Sequence, residues 1–138
     1  MIGAAHCRRL GLVAVLALMG GCVSPVEREI ESGGTFVLSP GESAGLADGT
    51  RVRYHQVSSD SRCRPHVQCV WAGRAEIQLR ITPASRIDGA ESATGELLLS
   101  TDLDASATYS GWRYRLIRLG FEAQPVATLQ VERSNSSY

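Results

Sequence analysis

The chain has 138 residues and a formal net charge of zero, its fourteen basic residues, all arginine, matched by fourteen acidic ones. That length suits one domain with a modest core. The charge balance lacks the concentrated basic excess that a nucleic-acid partner requires.

The N-terminus has the three parts of an export signal. Arg8 and Arg9 supply positive charge, residues 10–19 are apolar apart from Gly11, and Gly20 and Gly21 are the small residues that precede a cut. Ten helical residues rise only ~15 Å, about half a bilayer core, so the segment is too short for a permanent span. The residues after the arginine pair fit a twin-arginine signal poorly, which points to the general export route. Leu18-Met19-Gly20-Gly21-Cys22 resembles the lipobox of bacterial lipoproteins, with Met19 where Leu is commoner. The resemblance implies a lipidated Cys22, cleavage after Gly21 and acylation of the new amino terminus, with palmitate as the expected added chain. Two or more acyl chains, at ~0.8 kcal/mol per buried CH₂, hold a protein at a membrane without a transmembrane helix.

Loss of residues 1–21 removes Arg8 and Arg9 and leaves twelve arginines against fourteen carboxylates, a mature charge of −2. Residues 22–34 then read as lipidated cysteine and tether, with a proline, four charges and a Gly-Gly pair. If flexible, such a tether spans roughly 20 Å. Val23 stands where an inner-membrane retention signal places Asp. In a diderm cell this favours the outer membrane, facing the periplasm.

Residues 35–133 read as an all-β domain. Residues 35–39 are short and apolar and end in a Pro40-Gly41 turn. Residues 51–58 place Val52 and Tyr54 on one face and Arg51, Arg53 and His55 on the other. Residues 71–81 alternate most clearly, with Trp71, Gly73, Ala75, Ile77, Leu79 and Ile81 on the expected inner face. Residues 83–94 are polar and read as a loop, and residues 97–99 as a short buried strand. From residue 112, Trp112, Tyr114 and Leu116 face in. The parity then passes to Ile117, Leu119 and Phe121, which predicts a β-bulge near Leu116. Residues 126–133 alternate again with Ala127, Leu129 and Val131 inward, and residues 134–138 form a tail. Short strands between turn signals predict a small antiparallel β-sandwich or barrel.

The densest stretch is Asp60-Ser61-Arg62-Cys63-Arg64-Pro65-His66-Val67-Gln68-Cys69-Val70-Trp71-Ala72-Gly73. Cys63 and Cys69 are the pair left after Cys7 and Cys22 are assigned to signal and lipid, and a disulfide is the default in an oxidising compartment. Asp60 and Ser61 are turn formers, Asp60 can pair with Arg62, and Gly73 permits close backbone approach. Cys69 and Trp71 share a strand parity, which places the disulfide against the indole. The stretch resembles a family of small bacterial exported proteins and lipoproteins with the signature D-S-R-C-x5-C-x-W-A-G, with Arg64 where the family usually has proline and Pro65 one place later. The resemblance implies an all-β fold and the disulfide, and it brings no catalytic residue.

Other chemistries compete for the same residues. Cys63, His66 and Cys69, with His55, form a soft-metal set if the thiols stay reduced. A braced loop presenting Arg62 or Arg64 suits a protease inhibitor aimed at a trypsin-like pocket. Gly41-Glu42-Ser43-Ala44-Gly45 matches G-x-S-x-G but lacks the expected strand–turn–helix setting. Asp102-Leu103-Asp104 is an incomplete calcium loop, and Asn135-Ser136-Ser137 is a formal glycosylation site. Arg51, Arg53, Arg62 and Arg64 are the candidate binding residues for an envelope protein or a cell-wall component, and Arg51, Arg53 and His55 on one strand face also suit an acidic partner or a lipid headgroup. The expectation is a non-enzymatic binding or structural module with no cofactor and no metal.

Overall fold

Two-residue periodicity becomes eight strands among the described residues of a computed structural model, namely 29–84, 93–102 and 105–135. Cys22 and the signal, the first part of the tether, most of the polar loop at 83–94, Asp104 and residues 136–138 lie outside them. The strands are β1 (Thr35–Leu38), β2 (Ser43–Gly45), β3 (Arg51–Asp60), β4 (Ala75–Thr82), β5 (Gly95–Ser100), β6 (Ser106–Tyr109), β7 (Trp112–Leu119) and β8 (Ala127–Arg133). They form two antiparallel four-stranded sheets, β1-β8-β7-β6 and β2-β3-β4-β5. The protein is an all-β sandwich.

The inner faces follow from alternation. Ala75, Ile77, Leu79 and Ile81 of β4 meet Trp112, Tyr114 and Leu116 of β7 and Ala127, Leu129 and Val131 of β8 in one buried cluster. Val52 and Tyr54 are buried as the pattern of β3 requires. The hydroxyls of Tyr54 and Tyr114 are buried without a hydrogen-bond partner, and burial raises both phenols above their ordinary value. Pro40 and Gly41 occupy the centre of a turn closed by the Glu42 N–H donating to Ser39 O at 2.9 Å. Gly41 has φ +91°, as a type II turn demands.

The bulge in β7 is where the pattern places it. The register slips between Leu116 and Arg118, leaving Ile117 as the extra residue. Its effect on facing differs from expectation: Leu119 is buried, but Ile117 is exposed because both bulge residues, Ile117 and Arg118, turn outward, and Phe121 is exposed because β7 ends at Leu119. Leu98 also faces outward, so β5 is half-buried. The largest correction concerns Trp71. The strand starts at Ala75, Gly73 has φ +66° and breaks the alternation, and Trp71 is 81% exposed instead of packed on the disulfide.

The chain joins the domain ahead of β1. Ile30 bridges to Leu46, the Gly33 N–H donates to Val131 O, and the Arg133 N–H donates to Ser32 Oγ. Residues 30–34 are therefore a docked strap continuing β1 along β8, which corrects their assignment to the tether.

Candidate functional site

The two ends of the sandwich are chemically distinct. Ile30, the start of β3, the start of β7 and the end of β8 meet at one pole. Here Asp48 Oδ2 accepts from Trp112 Nε1 at 2.8 Å, Asp48 Oδ1 accepts from the Thr50 N–H at 2.9 Å, and Arg133 bridges to Asp48 at 3.3 Å. The Arg133 guanidinium lies 4.4 Å from the Trp112 ring centre. Burial raises the Asp48 carboxyl, but the bonds from Trp112 and Thr50 and the charge of Arg133 outweigh it and hold the group below its ordinary value.

The opposite pole holds the D-S-R-C motif. Asp60 Oδ1 accepts from the Arg62 N–H and from Arg62 Nε, at 3.0 and 2.9 Å, and Asp60 Oδ2 accepts from Nη2 at 2.7 Å. Nη1 and Nη2 also donate to the carbonyls of Leu119 and Gly120, each at 2.7 Å, and the guanidinium stacks 4.1 Å from the Phe121 centroid. Arg62 thus ties the end of β3 to the end of β7. The side-chain bonds from Arg62 hold Asp60 below the ordinary carboxylate range.

Beyond this clamp, residues 61–74 continue the β3–β4 hairpin as two limbs. The Ser61 N–H donates to Arg74 O, Ser61 Oγ bonds both the N–H and the carbonyl of Arg74, and the Cys63 N–H donates to Ala72 O. A Cβ at Gly73 would collide with the Ser61 carbonyl, so the close approach read from sequence is present. Cys63 and Cys69 form a disulfide across the tip, with Cα atoms 5.9 Å apart. Within it, Arg64-Pro65-His66-Val67 is a second turn, closed by the Val67 N–H to Arg64 O at 3.2 Å, and His66 carries φ +67°. Val70, at 89% exposure, and Trp71 project from the second limb, and Val67 is exposed near the tip.

A cleft of about 570 Å³ opens beside the clamp, lined by Pro40, Val57, Arg62, Arg64, Phe121 and Gln124 among others. It is formed where the turn after β1, the end of β3 and the β7–β8 connection meet.

The candidate binding residues fall into two places. Arg62 and Arg64 are at this pole, Arg64 exposed at the cleft and Arg62 only 11% exposed in its side chain. Arg51 and Arg53 lie at the other end of β3 on the outer face of their sheet. An inhibitor loop needs an extended segment with a free basic side chain. Arg62 is bound into the clamp and Arg64 opens a tight turn, so neither meets that need. The disulfide consumes both thiolates of the soft-metal set. Ser43 lies inside β2, not at a strand-to-helix turn. Asp102 Oδ2 accepts from Ser100 Oγ at 2.9 Å and lies 3.7 Å from Arg74. Asp48, Phe121 and the cleft were not apparent in the sequence, since each acquires its role from residues far along the chain.

No family model matches this chain, and neither does any curated protein or solved structure.

Proposed function

We propose that the protein is a lipid-anchored envelope module that binds a protein or cell-wall partner and performs no catalysis. The observation that carries this is the separation of the poles. The strap that leads toward Cys22 docks at the pole of Asp48, while the disulfide loop and cleft occupy the other. Ten residues of β3 set them roughly 30 Å apart. Anchoring through Cys22 therefore leaves the loop uncovered. An exposed Trp with two exposed Val on a covalently braced loop has the chemistry of a binding anchor, because aromatic side chains dominate interface energetics and rigid loops lose little entropy on docking. The lipobox supports lipid anchoring, and Val23 after its cysteine supports, in a diderm cell, the outer membrane facing the periplasm. The motif's resemblance to small exported lipoproteins agrees with that placement.

The test is photo-crosslinking from position 71 of the full chain in its own cells, with position 98, exposed and apolar on the outer face of β5, as the control. A discrete adduct from 71 and none from 98 is expected. No adduct from 71, or equal adducts from both, overturns the binding role. In parallel, metabolic labelling with an alkyne fatty acid should mark the wild type and not Cys22→Ser.

A further inference from the structure

Both outer faces carry arginines, and Arg53 of β3 meets no carboxylate among the described residues, but only β7 gathers three such arginines on one face. On the β2-β3-β4-β5 sheet, Arg80 bridges to Glu96 at 3.3 Å, Arg74 lies within 4 Å of Glu76 and Asp102, and a ladder runs Gln56–Gln78–Glu96. On the β1-β8-β7-β6 sheet, β7 turns Arg113, Arg115 and Arg118 outward, and among the described residues none of the three meets a carboxylate. Arg113 and Arg115 share a face by simple alternation. Arg118 joins them only because the bulge at Ile117 shifts the parity by one. Glu132, across from Arg113, is the one acidic residue of β8 on that face. The exposed aliphatics Val37 of β1 and Ile117 of β7 lie within the same surface, on either side of Thr128.

We propose that this face rests on anionic phospholipid headgroups. Guanidinium groups suit phosphate because their planar fork donates two parallel bonds. Each basic side chain near an anionic leaflet strengthens attachment, and aliphatic side chains among them favour the polar–apolar boundary over a purely ionic partner. The chain's entry point agrees. The strap at residues 30–34 runs along β8 in this same sheet, and only residues 23–29 separate it from Cys22, at most about 25 Å when extended. The proposal rests on the lipid-anchored reading and adds to it an orientation: the domain lies on the β7 face, with the disulfide loop carried sideways along the surface.

Arginine footprinting tests it. The lipidated protein is reconstituted in vesicles of phosphatidylcholine alone or of an equal mixture with phosphatidylglycerol, and a dicarbonyl reagent is applied with mass readout. Arg113, Arg115 and Arg118 should react about fivefold more slowly in the anionic vesicles, with Arg53 unchanged and the protection lost in high salt. Equal reactivity in both vesicles overturns the proposal. So does equal protection in neutral vesicles supplied with inorganic phosphate, which would make the face a free-anion site. Failure to float with neutral vesicles would instead count against the lipid anchor. The chain is then added to anionic vesicles, where the same three arginines still decide the orientation.

Discussion

Arg62 concentrates more bonds than any other side chain described, and the consequence of losing it follows from what is left behind. Truncation strands the Asp60 carboxylate and the carbonyls of Leu119 and Gly120, and exposes one face of Phe121. Arg62→Ala should therefore lower stability by about 2–4 kcal/mol. Arg62→Lys retains charge but not the fork, and should fall between the two. Urea unfolding measures both. The two Pro-containing turns offer a second comparison. Ser39-Pro40-Gly41-Glu42 places glycine where φ is positive, whereas Arg64-Pro65-His66-Val67 places histidine there. His66→Gly relieves that strain and should raise stability by about 0.5–1 kcal/mol, seen as a higher urea midpoint with unchanged slope.

At the scale of elements, the disulfide braces a loop and not the sheets, since β3–β4 pairing ends at Asp60 and Ala75, outside the ring. Replacing both Cys63 and Cys69 by Ser should lose roughly 2 kcal/mol on the chain-entropy account, while the core strands persist. Limited chymotrypsin digestion should then cut after the exposed Trp71 more readily than in the wild type. What could be read beforehand sorts by range. β4, β7 and β8 are legible because large apolar residues alternate over seven or eight positions, and so are the Pro40-Gly41 turn and the Asp60–Arg62 pair, which are local. β2 and β6 are not. Ser43-Ala44-Gly45 and Ser106-Ala107-Thr108-Tyr109 carry little apolar contrast and become strands through the hydrogen bonds of β3 and β7. Trp71 misled because a tryptophan in phase with a strand pattern reads as core, and only the left-handed Gly73 takes it out of phase. The other half of the Arg62 clamp lies at Leu119 and Gly120, beyond any local pattern.

Across the molecule, the two sheets are joined at both ends by the same device: an aspartate, an arginine and an aromatic ring. Asp60, Arg62 and Phe121 close one pole; Asp48, Arg133 and Trp112 close the other. Both carboxyls sit below the ordinary aspartate value of 3.8. The unfolded chain therefore takes up these protons first as pH falls. Their stabilisation is complete above the unfolded value, declines as pH drops below it, and is gone beneath the depressed values. Urea midpoints across the acid range should show this decline, and Asp48→Asn and Asp60→Asn should each flatten it.

The pairing of β1 with β8 bears on how the fold is reached. Thr35 meets Gln130 and Leu38 meets Ala127, so the first strand to leave the ribosome, or to emerge from an export channel, finds its neighbour only when the last has appeared. The other sheet is a run of adjacent hairpins that can close as it emerges. Until then β1 waits with an open hydrogen-bonding edge, and contacts of such long sequence separation form slowly. A chain arrested before β8 would hold one finished sheet and one unfinished sheet, with the inner face of the first still bare. Such a nascent chain needs shielding, and its final folding step is the closing of β1 onto β8.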